Sequence, residues 1–257
     1  MKRTSPVTLA ALVLSVASVH AQQTARPQDT EVWVPVPPVV TPGAPMAGAA
    51  PPSDAVVLFG GTHLDEWVNS RDRSPAGWTV SDGVMTVVKS AGDIETRRRF
   101  RNFQLHIEWR IPENITGSDQ ARGNSGVFLA LTEEGGYELQ VLDSYRNETY
   151  VNGMAASIYK QSIPLVNASR PPGEWQTYDV VWTAPRFGPD GALESPARVT
   201  AFYNGVLVQN DFELLGFTVY TGQPRYDAHG DAPIMLQAHG DPSPPISFRN
   251  IWVRPLD

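Results

Sequence analysis

The chain has 257 residues, 27 Asp and Glu against 20 Lys and Arg, a formal net charge of −7, and no cysteine. Without cysteine there are no disulfides, no thiol nucleophile and no thiolate-held metal. The acidic balance argues against a nucleic-acid partner, whose phosphates demand a basic face. The one basic cluster, Arg97, Arg98, Arg99 and Arg101, reads as a solvated turn or strand edge.

In chain order, Lys2 and Arg3 precede an apolar run over residues 7–19 that ends in a small residue at Ala21. This is the pattern of a secretory signal peptide, residues 1–21, with cleavage expected after Ala21. The run is shorter than the roughly 18–20 residues that span a bilayer, and no later segment is longer or more apolar. An exported protein, periplasmic or secreted, is expected, with no membrane insertion once the signal is cleaved; an uncleaved anchor is the alternative. Residues 22–54 are rich in Pro and Ala without a period of 2 or 3.6, and are expected to form an extended spacer that buries little. The globular unit is then residues 55–257, about 200 residues, within the reach of one core.

From Trp78 onward, short runs of Val, Ile, Phe, Tyr and Trp alternate with Gly, Pro, Asn and Asp. Strands are predicted at residues 78–80, 84–88, 103–110, 125–131, 137–142, 176–183, 198–203, 206–209, 234–238 and 246–253. Ser81-Asp82-Gly83 and Asn204-Gly205 supply hairpin turns. No segment keeps an amphipathic helical period over three turns. The fold class is therefore all-β, a jelly-roll sandwich, with a closed barrel as the alternative. Alternation places Phe103, Leu105, Ile107 and Trp109 on an apolar face and Gln104, His106, Glu108 and Arg110 on the other. That polar face is expected to be a solvated exterior or the lining of a sugar groove.

The candidate chemistry sits in residues 137–144, Tyr-Glu-Leu-Gln-Val-Leu-Asp-Ser. Glu138 and Gln140 share a strand face, and Asp143 joins them if a bulge shifts the phase after Val141. The spacing resembles the strand of family 16 glycosidases that carries two carboxylates, although Gln replaces the middle acid and Asp the last. Asp143 could equally close a turn through its own backbone, and Glu138 could lie on a solvated face. Gln237 and His239 share a face at the end of another strand. A histidine there can serve as base, acid or metal ligand, or simply be buried or cap a turn. The tripeptide His-Gly-Asp occurs at His229 and again at His239, which raises a metal reading. Arg122 and Asn124, flanking a glycine, are candidate holders of sugar hydroxyls. Lys160 is a candidate electrophilic helper, with a surface lysine as the plain alternative. Among Trp67, Trp78, Trp109, Trp175 and Trp182, one or two are expected to be sugar platforms and the rest core.

The chain resembles the 3-keto-disaccharide hydrolase family in ordered blocks. These run from Val57-Leu-Phe-Gly-Gly with Trp67, through residues 103–112, Gly123-Asn-Ser-Gly-Val and residues 137–144. They continue with Pro172-Gly-Glu-Trp, Asn204-Gly205 and residues 233–240, closing on Phe248-Arg-Asn-Ile. The resemblance implies a concanavalin A-like sandwich acting on a sugar oxidised to a ketone at C3. A C3 carbonyl acidifies the C2 hydrogen, so a base can remove it, the C1 substituent can leave, and water can add to the enone. On this reading Glu138, His239 and Asp143 are catalytic, and Arg122, Asn124, Gln140, Lys160 and Gln237 bind substrate. A divalent metal on His239 and Glu138 is a candidate cofactor, and an oxidoreductase that makes keto sugars is a candidate functional partner. The alternatives are a retaining glucanase, which needs Glu138 and Asp143 across one groove, and a carbohydrate-binding sandwich without catalysis.

Overall fold

The computed structural model describes residues 25–44, 48 and 50–256; the predicted signal peptide lies outside them. Among the described residues, the strands in the first half are β1 (Val56–Phe59), β2 (Trp67–Asn69), β3 (Thr79–Ser81), β4 (Val84–Thr86), β5 (Ile94–Thr96), β6 (Phe103–Arg110), β7 (Ser125–Leu131) and β8 (Gly136–Val141). The second half adds β9 (Trp175–Thr183), β10 (Arg186–Phe187), β11 (Leu193–Ser195), β12 (Arg198–Tyr203), β13 (Val206–Glu213), β14 (Met235–Leu236) and β15 (Ser247–Pro255). The long predicted strands fall in place. The short ones, β1, β2, β5, β10 and β11, escaped prediction because two to four residues carry too little alternation to register.

Two antiparallel sheets face each other, as an all-β jelly-roll sandwich. One is eight-stranded, in the order β13-β12-β9-β6-β15-β4-β3 with β1 on the β15 edge. The other is five-stranded, β2-β5-β14-β7-β8, and a separate β10-β11 ribbon lies apart. Phe103, Leu105, Ile107 and Trp109 point between the sheets, as do Val127, Leu129, Tyr137 and Leu139 from the facing layer. Each aromatic ring withdrawn from water contributes about 2–3 kcal/mol, and large rings dominate this core. Tyr178 on β9 reaches across it to donate from its hydroxyl to the Gln140 carbonyl at 2.7 Å, fixing β8 against the larger sheet.

Three expectations change. His106 and Glu108 are neither solvated nor in a groove, but form a buried network on the outer face of β6. Glu108 accepts from Arg249 Nε at 2.6 Å, Asn250 Nδ2 at 2.9 Å and the Gly48 amide at 3.0 Å. His106 Nδ1 lies 2.7 Å from Asp179. Burial works against its protonation, but Asp179 and Glu108 outweigh it and lift His106 to about 9. Second, Trp67, Trp78, Trp109 and Trp182 are all buried, and Trp175 lies under the guanidinium groups of Arg110 and Arg249, 4.6 and 4.0 Å from its ring centre.

Third, residues 25–44 do not run as a free spacer; they lie along the sandwich as a strap. Asn152 Nδ2 donates to the Thr30 carbonyl and its Oδ1 accepts from the Val32 amide, both at 2.9 Å. The Val151 amide donates to Val32 at 2.7 Å, and Asn167 exchanges backbone bonds with Pro38 and Val40 at 2.9 Å. A Pro-rich chain keeps its carbonyls free and its backbone extended, so it can dock by main-chain bonds that side-chain periodicity does not reveal.

Candidate active site

The outer face of the five-stranded sheet carries a cavity of about 830 Å³. Cross-strand pairing explains its floor. Register aligns Glu95, Met235, Phe128 and Glu138 in one row on that face, and Gly126 opposite Gln140 in the next. Because Tyr137, Leu139 and Val141 are taken by the core, Glu138 and Gln140 must point outward into the cavity.

Glu138 is 6 % exposed, and among the described residues its carboxylate has no hydrogen-bonding or ionic partner. Its backbone is held at both ends, the amide donating to Thr218 Oγ1 at 3.0 Å and the carbonyl accepting from the Tyr159 amide at 3.2 Å. Burial alone pushes the carboxyl up to about 8. Gly126 beside it leaves room: a Cβ there would stand 2.6 Å from Glu138 Oε1 and 3.0 Å from the Phe128 ring. Gly126→Ala is therefore expected to displace the carboxyl. Since misplacement by an ångström can cost about 10² in rate, turnover should fall by about that factor while circular dichroism and the melting temperature change little.

Gln140 donates from Nε2 to Gln120 Oε1 at 3.1 Å and to Asn124 Oδ1 at 3.4 Å, which leaves its Oε1 buried and unpartnered. Gln237 Oε1, also on the cavity, is likewise unpartnered. Two buried acceptors without donors suit a ligand rich in hydroxyl groups. At the rim, the Asp241 amide donates to His239 Nδ1 at 3.2 Å, and Asp241 Oδ2 lies 3.2 Å from the same nitrogen. Burial would raise Asp241, but Ser243 and the Lys89 ammonium, 3.1 Å away, hold it below its ordinary value as an anion. Also lining the cavity, the hydroxyls of Tyr150 and Tyr159 are 2.6 Å apart. Burial chiefly pushes Tyr159 up to about 12; the bond to Tyr150 opposes this and the Glu138 charge adds to it. The phenol stays protonated at neutral pH.

Of the residues singled out in the sequence, Glu138, Gln140, Asn124, Gln237 and His239 line this one cavity, whereas Asp143, Arg122 and Lys160 do not. No bulge carries Asp143 to Glu138's side. Strand β8 ends at Val141, and Asp143 instead accepts from the Tyr145 amide at 3.1 Å and from Arg122 Nε at 2.6 Å. Arg122 is thereby spent on a structural ion pair. The short carboxylate separation of a retaining glucanase is thus not built from Glu138 and Asp143. Lys160 Nζ donates to the carbonyls of Pro27 at 2.6 Å and Tyr220 at 2.9 Å, behind the cavity wall. His229 of the first His-Gly-Asp bonds the Tyr137 hydroxyl at 2.9 Å, away from the cavity.

The donor set does not fit the candidate metal. Among the described residues no three His, Cys, Asp or Glu side chains gather to hold an ion. Sequence reasoning missed Gln120, Tyr150, Tyr159 and Tyr220. Their only signal was their residue type, since long loops carry them to the sheet.

Residues 54–254 match the 3-keto-alpha-glucoside-1,2-lyase-like domain. A solved Parabacteroides distasonis protein, provisionally named a glycosyl hydrolase, is 51 % identical; the match covers 95 % of this chain and all of that one, with a TM-score of 0.78. A second from the same organism, 21 % identical over 79 % of this chain and 94 % of its own, has a TM-score of 0.58 and supports the fold. A Bacteroides thetaiotaomicron protein called 3-keto-disaccharide hydrolase is 25 % identical over 79 % of this chain and 78 % of its own. The chain belongs to the 3-keto-alpha-glucoside-1,2-lyase-like family and carries a glycoside hydrolase-like, carbohydrate-active domain.

Proposed function

We propose that this protein cleaves 3-keto-glycosides by elimination followed by hydration. One observation carries the reading: Glu138 is a buried carboxyl without a neutralising partner, in the wall of a cavity large enough for two sugar rings. A base raised toward neutrality is matched to a carbon acid, here the C2 hydrogen beside the C3 ketone. Glu138 removes that proton. Tyr159, whose hydroxyl is paired with Tyr150, donates to the enolate oxygen that develops at C3. His239, oriented by Asp241, gives a proton to the departing C1 oxygen and then activates the water that adds to the enone. Gln140 and Gln237 accept from ring hydroxyls through their free oxygens. No step is assigned to a metal.

The keto sugar implies an oxidoreductase acting before this enzyme. Export is part of the reading, and N-terminal sequencing of the mature protein, expected to begin at Gln22, tests it. The function itself is tested by incubating the purified protein with a 3-keto-glucoside and with its unoxidised parent, each with and without EDTA. Turnover of the keto sugar alone, retained in EDTA, is expected. Turnover of the parent would favour a glucanase, and binding without turnover of either sugar would favour a carbohydrate-binding module.

A further inference from the structure

The family match starts at residue 54, yet the cavity is completed by residues that precede it: Gln28 and Glu31 of the strap line it together with His239. They are rigidly placed. Lys160 holds the Pro27 carbonyl on one side of Gln28, and Asn152 grips Thr30 and Val32 on either side of Glu31. Lys160 also holds the Tyr220 carbonyl, with its ammonium 4.8 Å from the centre of that ring, so strap and loop are clamped together over the cavity. Among the described residues the Glu31 carboxylate has no hydrogen bond or close ion pair; the Lys160 ammonium attracts it from outside the lining, and the lining itself carries Asp119 and Asp241 but no Lys or Arg.

Resting on the reading of this cavity as a keto-glycoside site, we propose that the strap selects the leaving group: Gln28 and Glu31 hydrogen-bond the hydroxyls of a neutral second sugar, and Glu31 turns away acidic ones. The reacting keto ring belongs at Glu138 on the floor, so the strap meets whatever is attached at C1. A neutral sugar offers hydroxyl donors to Glu31 and both donors and acceptors to Gln28. A uronic acid would bring a further carboxylate against Glu31, in a cavity whose lining has no Lys or Arg to receive it, Lys160 and Lys89 being held by strap, loop and Asp241.

The test compares kcat/KM for a neutral 3-keto disaccharide with that for methyl 3-keto-glucoside in the full-length protein. The ratio is expected to fall about fivefold in Gln28→Ala and about 10- to 100-fold in Glu31→Ala, the worth of a neutral and a charged hydrogen bond. In Glu31→Gln, kcat/KM for a 3-keto-glucosyl uronic acid should rise about tenfold. An unchanged ratio in both alanine variants, with the uronide no better in Glu31→Gln, overturns the proposal. If the wild-type protein turns over no keto sugar, the catalytic reading fails, and calorimetry with maltose and methyl α-glucoside decides the strap separately. Tighter wild-type binding of maltose that is lost in Glu31→Ala supports it; equal binding, or none, overturns it.

Discussion

Replacing Glu138 by Gln is expected to lower turnover of a 3-keto-glucoside by about 10² to 10⁴, the usual worth of a general base, with little change in binding. The substitution keeps shape and volume but removes basicity, and among the described residues Glu138 is the strand-borne carboxyl that lines the cavity. The pH profile gives an independent check. Because burial places the folded carboxyl at about 8, the reactive carboxylate is the minor form below that pH. In the wild type, kcat/KM for p-nitrophenyl 3-keto-glucoside, whose leaving group needs no acid, should rise with pH, about tenfold per unit below 8, and level off above it. A rate that instead falls through pH 8 would make Glu138 the acid.

The same group makes a stability prediction with the opposite sign to the familiar salt-bridged acid. The unfolded chain gives up this proton near 4.5, whereas the folded chain keeps it to about 8. Between those values the unfolded state binds fewer protons, so Glu138 makes the wild type less stable as pH rises. Glu138→Gln should melt close to the wild type near pH 4 and higher above pH 8, by on the order of 10 °C for a domain of this size. A carboxyl kept basic by burial thus trades stability for reactivity, and the calorimetric difference between the two pH values measures that trade. Equal melting temperatures at both pH values would mean that Glu138 is not desolvated in solution.

Replacing His239 by Gln is expected to have an effect that depends on the leaving group. A sugar alkoxide departs poorly unless it is protonated, so with a 3-keto disaccharide the loss should be about 10² to 10³. A p-nitrophenolate departs without help, and with p-nitrophenyl 3-keto-glucoside the loss should be within about tenfold. The prediction follows from the placement of His239 at the rim, 38 % exposed at its side chain, with Nδ1 engaged by Asp241 so that the other ring nitrogen is left to act. Equal losses on both substrates would assign His239 to binding or to the hydration step. Asp241→Asn should reproduce the same leaving-group dependence in weaker form, since it acts only through the imidazole.

Alternation by itself determined much of this protein. The runs over residues 103–110, 125–131 and 198–203 fold as the strands their period of two dictates. Within β8 the same parity sends Tyr137, Leu139 and Val141 inward and Glu138 and Gln140 outward, so the floor of the site was legible. Parity is a local property of the backbone, fixed wherever one face is buried.

What lies beyond one strand was decided by tertiary structure. Asp143 stands five residues from Glu138, but the strand ends between them and a turn with Arg122 captures the acid. Lys160 reads as a cation available to substrate until the strap's carbonyl reaches it. His106 and Glu108 read as a solvated face until Gly48 and Arg249 cover them. The strap itself, with Gln28 and Glu31 on the cavity, docks through backbone bonds to Asn152 and Asn167, more than a hundred residues away in sequence. Main-chain groups are the same in every residue, so no pattern of side chains announces where such a segment will bind.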